Sequence, residues 1–268
     1  MSIHFLDRGE GRIAYDVHGE GPLVICLPGM GELRSVYRFT VPALLAAGYQ
    51  VATMDLRGHG DSDDGFRQYD DEALASDALA LIDQLGGRAT LIGNSMGSSA
   101  AILAAATAPA KVTGLALIAP FVRDPKMNPL MKLVMRLLLI KPWGPGAWRF
   151  YLRTLYPGRR PVDLPEHLEK IAASMRHGDH WRSFVQTTRL SHRAVEGQLD
   201  QVQAPTLVMM GEKDPDFPDA TAEARYAADR LHGELLLVPG SGHYPMTEFP
   251  ELVNPALVAF VNRVTADA

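Results

Sequence analysis

The sequence predicts an α/β protein: a mainly parallel central sheet, helices on both faces, and a helical lid inserted between two core strands. Three observations predict it. Short apolar runs, β-branched or Leu-rich and without strict alternation, recur as strands buried on both faces do. Stretches of helical periodicity separate them, the rhythm of a parallel sheet. From residue 123 to residue 203 the strands stop and the pattern is helical throughout.

Taken in order, residues 3–17 alternate apolar and polar and close on the turn at 18–21, so they predict an antiparallel hairpin at the sheet edge. Strands follow at 22–27, 50–55, 89–93 and 112–120, with helices at 33–47, 69–85 and 96–106 between them. The inserted segment predicts helices at 128–140, 144–156, 165–176 and 180–199; Asn128 can cap the first, and Pro129 suits its opening position. Trp143, Trp148 and Trp181, the only tryptophans, fall here, so the segment has apolar surface of its own to bury. Strands at 205–211 and 235–238 and a helix at 251–264 close the chain. The expected organisation is a core domain in two parts, 1–122 and 204–268, with a cap at 123–203.

Composition narrows the function. A chain of 268 residues fits one large domain with an insertion. Apolar content of 47% and charged content of 21% are those of a folded protein. A net charge of −5 gives no basic footprint for nucleic acid. Cys26 stands alone, which excludes an intrachain disulfide. The first eleven residues lack the apolar run of a signal peptide, and the greasy stretch at 130–140 is short and broken by Lys132 and Arg136. The expectation is a cytoplasmic protein, monomer or homodimer, with no membrane span.

The sharpest chemical feature is Gly93-Asn94-Ser95-Met96-Gly97, which ends a strand and opens an Ala-rich helix. A nucleophile elbow needs this context: the turn is too sharp for side chains at either glycine, and it lifts the Ser95 hydroxyl above the sheet. The Met96 N–H then lies at a helix N-terminus, where negative charge develops during acyl transfer. Serine needs a base, and the base an orienting acid. His243 lies in the Gly-flanked loop Gly240-Ser241-Gly242 after the last strand. Asp214 follows the strand at 205–211, with Glu212, Asp216 and Asp219 as local rivals and Asp124 as a remoter one. A second oxyanion donor should follow an early strand, and the Met30 N–H in Pro28-Gly29-Met30-Gly31 is the candidate. His177 and His180 have metal-like spacing but no third ligand, and His59 in its Gly-rich loop reads as structural.

With Asp55-Leu56-Arg57-Gly58-His59-Gly60-Asp61-Ser62, and with Glu248 and Pro250 after His243, these pieces resemble the α/β-hydrolase fold superfamily, in its serine esterase, haloperoxidase-like and C–C hydrolase group. The resemblance spans the chain outside the lid. It implies a Ser-His-Asp hydrolase without cofactor or metal. One departure is visible: many members carry His-Gly in the oxyanion loop where this chain has Pro28-Gly29, which removes a side chain that braces it. Ser95 argues against the dehalogenases and epoxide hydrolases of the fold, whose elbow bears Asp. The expected activity is hydrolysis of small to medium apolar carboxylic esters, with Met30, Met96, Met131, Met135, Trp148 and Tyr151 as candidate substrate contacts. A C–C bond or lactone hydrolase with the same triad is the alternative, and a small-molecule receptor of this fold is a third.

Overall fold

The apolar runs become eight strands of one sheet: β1 His4–Asp7, β2 Arg12–His18, β3 Leu23–Leu27, β4 Gln50–Met54, β5 Ala89–Asn94, β6 Val112–Ile118, β7 Thr206–Gly211 and β8 Glu234–Val238. A computed structural model describes residues 3–124 and 129–266, with side chains for all of these except Pro129, Met131 and Lys132. The strand order is β1-β2-β4-β3-β5-β6-β7-β8. The β1–β2 hairpin lies at the edge and meets β4 antiparallel, and every other pairing is parallel. Strands β3 and β5 are buried along their whole length. Successive side chains of a strand point to opposite faces. Ile25 and Leu27 of β3 accordingly join one apolar cluster, and Val24 and Cys26 join the other.

Helices α1 Val41–Ala46, α2 Asp71–Leu85 and α3 Met96–Thr107 connect the early strands. Five helices fill the chain between β6 and β7: α4 Pro129–Leu138, α5 Gly144–Thr154, α6 Leu164–Arg176, α7 His180–Thr187 and α8 Arg193–Gln198. Then come α9 Ala220–Arg230, α10 Pro245–Glu248 and α11 Pro250–Ala266. Trp148, Leu168, Trp181 and Phe184 of the inserted helices share one apolar cluster with Tyr37 and Phe260 of the core, and Val195 joins the cluster on the other face.

The structure departs from expectation in three places. The single helix expected at 33–47 is a 3-10 turn, Arg34–Tyr37, followed by α1. Pro42 at the start of α1 has no N–H with which to continue a helix from the preceding turn. The helix expected at 180–199 breaks between α7 and α8. There Thr187 and Thr188 turn their hydroxyls back onto the carbonyls of Phe184 and Val185, at 2.7 and 2.8 Å, and Asp124 accepts from Ser191 Oγ and the His192 N–H. Helix α9 was not anticipated; its Ala-rich run is capped by Asp219, which accepts from the Ala222 N–H at 2.9 Å. The expected cap at Asn128 lies outside the described residues.

Candidate active site

Four loops meet at the carboxyl ends of β3, β5, β7 and β8, where sheets of this kind bind ligands. The loop after β5 is the elbow. Ser95 has φ +55° and ψ −120°, a sparsely populated conformation for a residue with a side chain. It persists because its surroundings fix it. The Ser95 N–H donates to the Ile118 carbonyl at 2.9 Å, and Ser98 Oγ donates to the Gly93 carbonyl at 2.8 Å. A Cβ at Gly97 would overlap the Leu27 carbonyl oxygen, and one at Gly93 would overlap that of Gly97. A Cβ at Gly29 would stand 2.9 Å from that of Ser95, so the loop after β3 lies directly against the elbow.

The loops after β7 and β8 bring the acid to the base. His243 Nδ1 and Asp214 Oδ2 are 2.7 Å apart, both side chains buried. The other Asp214 oxygen accepts the Asp216 N–H at 3.0 Å. The His243 main chain is pinned on both sides: its N–H donates to the Leu155 carbonyl at 3.0 Å, and its carbonyl accepts from Asn94 Nδ2 at 3.2 Å. Glu248 braces the same loop, accepting from the Gly242 N–H at 2.6 Å, Ser241 Oγ at 3.0 Å and the Gly158 N–H at 2.9 Å. Ser95 Oγ makes no hydrogen bond to His243 among the described residues. Bonds of this kind tighten when substrate arrives.

A second carboxylate stands at the same imidazole. Asp216 Oδ2 is 3.4 Å from His243 Nδ1, and the Tyr151 hydroxyl donates to Asp216 from α5. Burial works to lower the His243 pKa, but Asp214 and then Asp216 outweigh it and hold the imidazolium up to about 9. Burial pushes the Asp216 carboxyl above its ordinary range. Asp214, Asp216 and His243 offer three potential ligand atoms within 4.8 Å of one another. With His243 Nδ1 already bonded to Asp214, their arrangement is that of an oriented base. The other rivals of Asp214 are elsewhere: Glu212 is exposed, Asp219 caps α9, and Asp124 holds the turn before α8.

Met30 and Met96 follow Gly29 and Ser95, and neither of their N–H groups meets a protein acceptor among the described residues. The brace that Pro28-Gly29 lacks comes from another loop. His59 Nε2 accepts the Gly31 N–H at 3.0 Å while its Nδ1 faces the Arg57 carbonyl at 2.9 Å. Burial lowers the His59 pKa to about 4, so the ring is neutral, with the proton on Nδ1. That bond holds Gly31 at φ +70°, a conformation glycine adopts without strain. Beside it, Glu32 Oε1 accepts the Leu33 N–H at 2.8 Å and meets His167 Nε2 of α6 at 2.7 Å, both side chains buried. The expected structural role of His59 thus has a definite place. Glu32 and His167, absent from the expected site, tie the loop after β3 to the inserted helices.

The candidate substrate contacts divide. The Trp148 indole lies against the loop after β3, 2.6 Å from where a Gly31 Cβ would be, and its buried N–H has no partner among the described residues. Tyr151 reaches Asp216, and Met30 is half-buried beside the elbow loop. Met96 is buried in the core cluster that contains Leu74. Met135 is exposed on α4. The reason is how α4 is anchored. Its body presents Leu133, Val134 and Leu137 to solvent, and its end is held at Leu139, which is buried and whose carbonyl accepts from Trp181 Nε1 at 3.2 Å. The Met131 side chain lies outside the described residues. Arg57 is spent on Asp77, at 2.7 and 2.8 Å. His177 and His180 stack edge to face, and no acid or cysteine joins them as a ligand cluster among the described residues.

Comparison with known proteins gives the family. The family model described as "Alpha/beta hydrolase family" matches residues 24–256. The chain is 30% identical, over 93% of its length, to the dihydrolipoyllysine-residue acetyltransferase component of the acetoin cleaving system of Pseudomonas putida, and spans 66% of that protein. It is 29% identical, over 97% of its length, to 2-hydroxy-6-oxononadienedioate/2-hydroxy-6-oxononatrienedioate hydrolase 2 of the same organism, and spans 92% of it. The solved structure of Est816, described as an N-acyl homoserine lactone degrading enzyme, superimposes with a TM-score of 0.79 at 25% identity, covering 96% of this chain and all of that one. With the elbow and the His243 loop inside the matched segment, the chain belongs to the alpha/beta hydrolase family.

Proposed function

We propose that the protein is a serine hydrolase of small to medium apolar carboxylic esters, working through an acyl-enzyme on Ser95, with the inserted helices between β6 and β7 as its lid. One observation carries this reading: a strained, buried serine at a strand-to-helix elbow opposite a buried His243–Asp214 pair at 2.7 Å. Because Asp214 accepts the hydrogen bond from the Nδ1–H, Nε2 is the nitrogen left to act on Ser95. Ser95 Oγ bonds to the ester carbon as its proton passes to His243 Nε2. The carbonyl oxygen takes the negative charge, facing the Met30 and Met96 N–H groups. Collapse breaks the bond to the alkoxy oxygen, and His243 returns the proton to the leaving alcohol. Water, deprotonated by His243, releases the acid. Phe121 and Phe217 pack together at 4.6 Å beside His243, and with Trp148 they favour an apolar acyl or alcohol group.

Ser95→Ala should abolish turnover of short chromogenic esters while the melting temperature stays within a few degrees. Undiminished hydrolysis in that variant removes the assignment. A second reading, lactone or C–C bond hydrolysis by the same residues, is favoured by what Est816 and the Pseudomonas putida hydrolase are named for. A panel of esters, lactones and β-diketones separates the two. A diketone or lactone preferred over every ester by more than ten-fold selects the second.

A further inference from the structure

Helix α4 and the turn after it are built unlike any other surface of the molecule. Leu130 is 69% exposed, Leu133, Leu137 and Ile140 about half, and Trp143 and Phe150 are exposed beside them. A helix at a water boundary ordinarily turns its apolar stripe inward, and a monomer seldom leaves so large an apolar patch uncovered. Charge on this segment is equally lopsided. Between Asp124 and Asp163 the chain carries eight Lys or Arg and not one Asp or Glu. The rest of the molecule holds 18 Lys or Arg against 31 Asp or Glu, a net −13. Arg149 and Arg159 are neutralised by Glu169 and Glu251, but Arg136, Lys141 and Arg153 meet no carboxylate among the described residues. Next to the turn lies an open groove of about 480 Å³, lined by Ile140, Trp181 and Val185 together with Lys141, Arg182 and Arg189.

We propose that this face docks on an anionic lipid surface, α4 lying in the plane of the interface with its Leu, Val and Ile side chains among the acyl chains. The occupant follows from the charge. A second copy of this face would bring together Arg136, Lys141 and Arg153 of both chains, none of which meets a carboxylate among the described residues. An anionic bilayer offers apolar depth and negative charge at once, the combination that amphipathic basic helices recognise. Trp143 and Phe150 fit the aromatic level of such an interface. No helix among the described residues is long and apolar enough to cross a membrane, so the contact is peripheral. The proposal does not depend on the Ser95 chemistry, and its test does not read activity.

The test is binding of the full chain to sedimenting vesicles of phosphatidylcholine alone and of phosphatidylcholine with a third phosphatidylglycerol. Each cation brought to an anionic surface is worth about five-fold in affinity. Three unpaired cations therefore predict a preference of about a hundred-fold for the anionic vesicles, falling steeply as salt rises. Arg136→Glu with Lys141→Glu should lower anionic binding by more than ten-fold, and Leu133→Ser with Leu137→Ser should weaken it at every salt concentration. All four positions are on the surface, and unchanged melting curves confirm that the variants fold. Equal or absent binding to both vesicle types overturns the proposal. A concentration-dependent dimer that Leu133→Ser with Leu137→Ser dissolves also overturns it, and assigns the face to a second copy. Capture by an acidic protein with no vesicle binding assigns it to a protein partner instead.

Discussion

The pair of carboxylates at His243 gives a prediction that a single-acid triad does not. With its pKa held up to about 9, the free enzyme carries imidazolium near neutrality, and only the minority neutral form can take the Ser95 proton. The value of kcat/KM should therefore rise about ten-fold per pH unit up to about 9. Asp216 contributes through space at 3.4 Å. Two full charges at that distance interact by about 1 kcal/mol at the dielectric of water and about 5 kcal/mol at an effective constant of 20. The Asp216 carboxyl is itself pushed up by burial and bonded to Tyr151, so the lower end applies. Since 1.36 kcal/mol is one pH unit, Asp216→Asn should move the acid limb down by about one unit. It should raise kcat/KM at pH 7 by roughly ten-fold and leave kcat on the plateau within ten-fold of wild type. An asparagine oxygen can still accept from Tyr151, so the loop should hold. The assay is initial-rate hydrolysis of a soluble ester from pH 5.5 to 10 at constant ionic strength, with an NMR titration of His243 beside it. A limb that stays in place refutes the electrostatic reasoning. A plateau loss of several thousand-fold would make Asp216 the triad acid.

Asp214→Asn should lose about three to four powers of ten in kcat, measured at pH 9, because the imidazole then lacks the partner that fixes its tautomer. His59→Ala leaves the Gly31 N–H without its acceptor and frees the oxyanion loop; we expect kcat to fall about ten-fold or more with KM little changed, since a missing oxyanion donor costs about a hundred-fold. His243 holds its proton more tightly folded, at about 9, than its ordinary 6.5. Its stabilising contribution is therefore complete below pH 6.5 and lost as pH rises through 9, about 3 kcal/mol in all. Urea unfolding of wild type and His243→Ala at pH 6 and pH 9.5 reads that difference, which should be larger at the lower pH.

The sheet was legible because each core strand is a short apolar run bounded by turn residues, and burial on both faces erases alternation. The edge hairpin was legible from the apolar–polar alternation of its sequence, although Ile13, Ala14 and Tyr15 of β2 are all buried in the fold. Helix α9 was missed because its apolar face is made of alanines, which carry little periodic signal. The break between α7 and α8 depends on Asp124, more than sixty residues away, and no local pattern reports it.

Within the site, the legible residues were those whose chemistry demands a local backbone shape. Ser95 is recognisable because its turn excludes side chains at Gly93 and Gly97, and His243 because its loop is glycine-flanked. The supporting contacts are long-range. His59 to the Gly31 N–H, His167 to Glu32 and Tyr151 to Asp216 join positions 28, 135 and 65 residues apart, and the side chains involved look like ordinary surface polars in one dimension. Two of the three run from the inserted helices to the oxyanion loop or the carboxylates at His243. Any movement of that insertion therefore changes the groups around Ser95 as well as access to it. On the proposed reading of the insertion as a lid, its position and the geometry around Ser95 are one mechanical unit, joined by contacts that only folding creates.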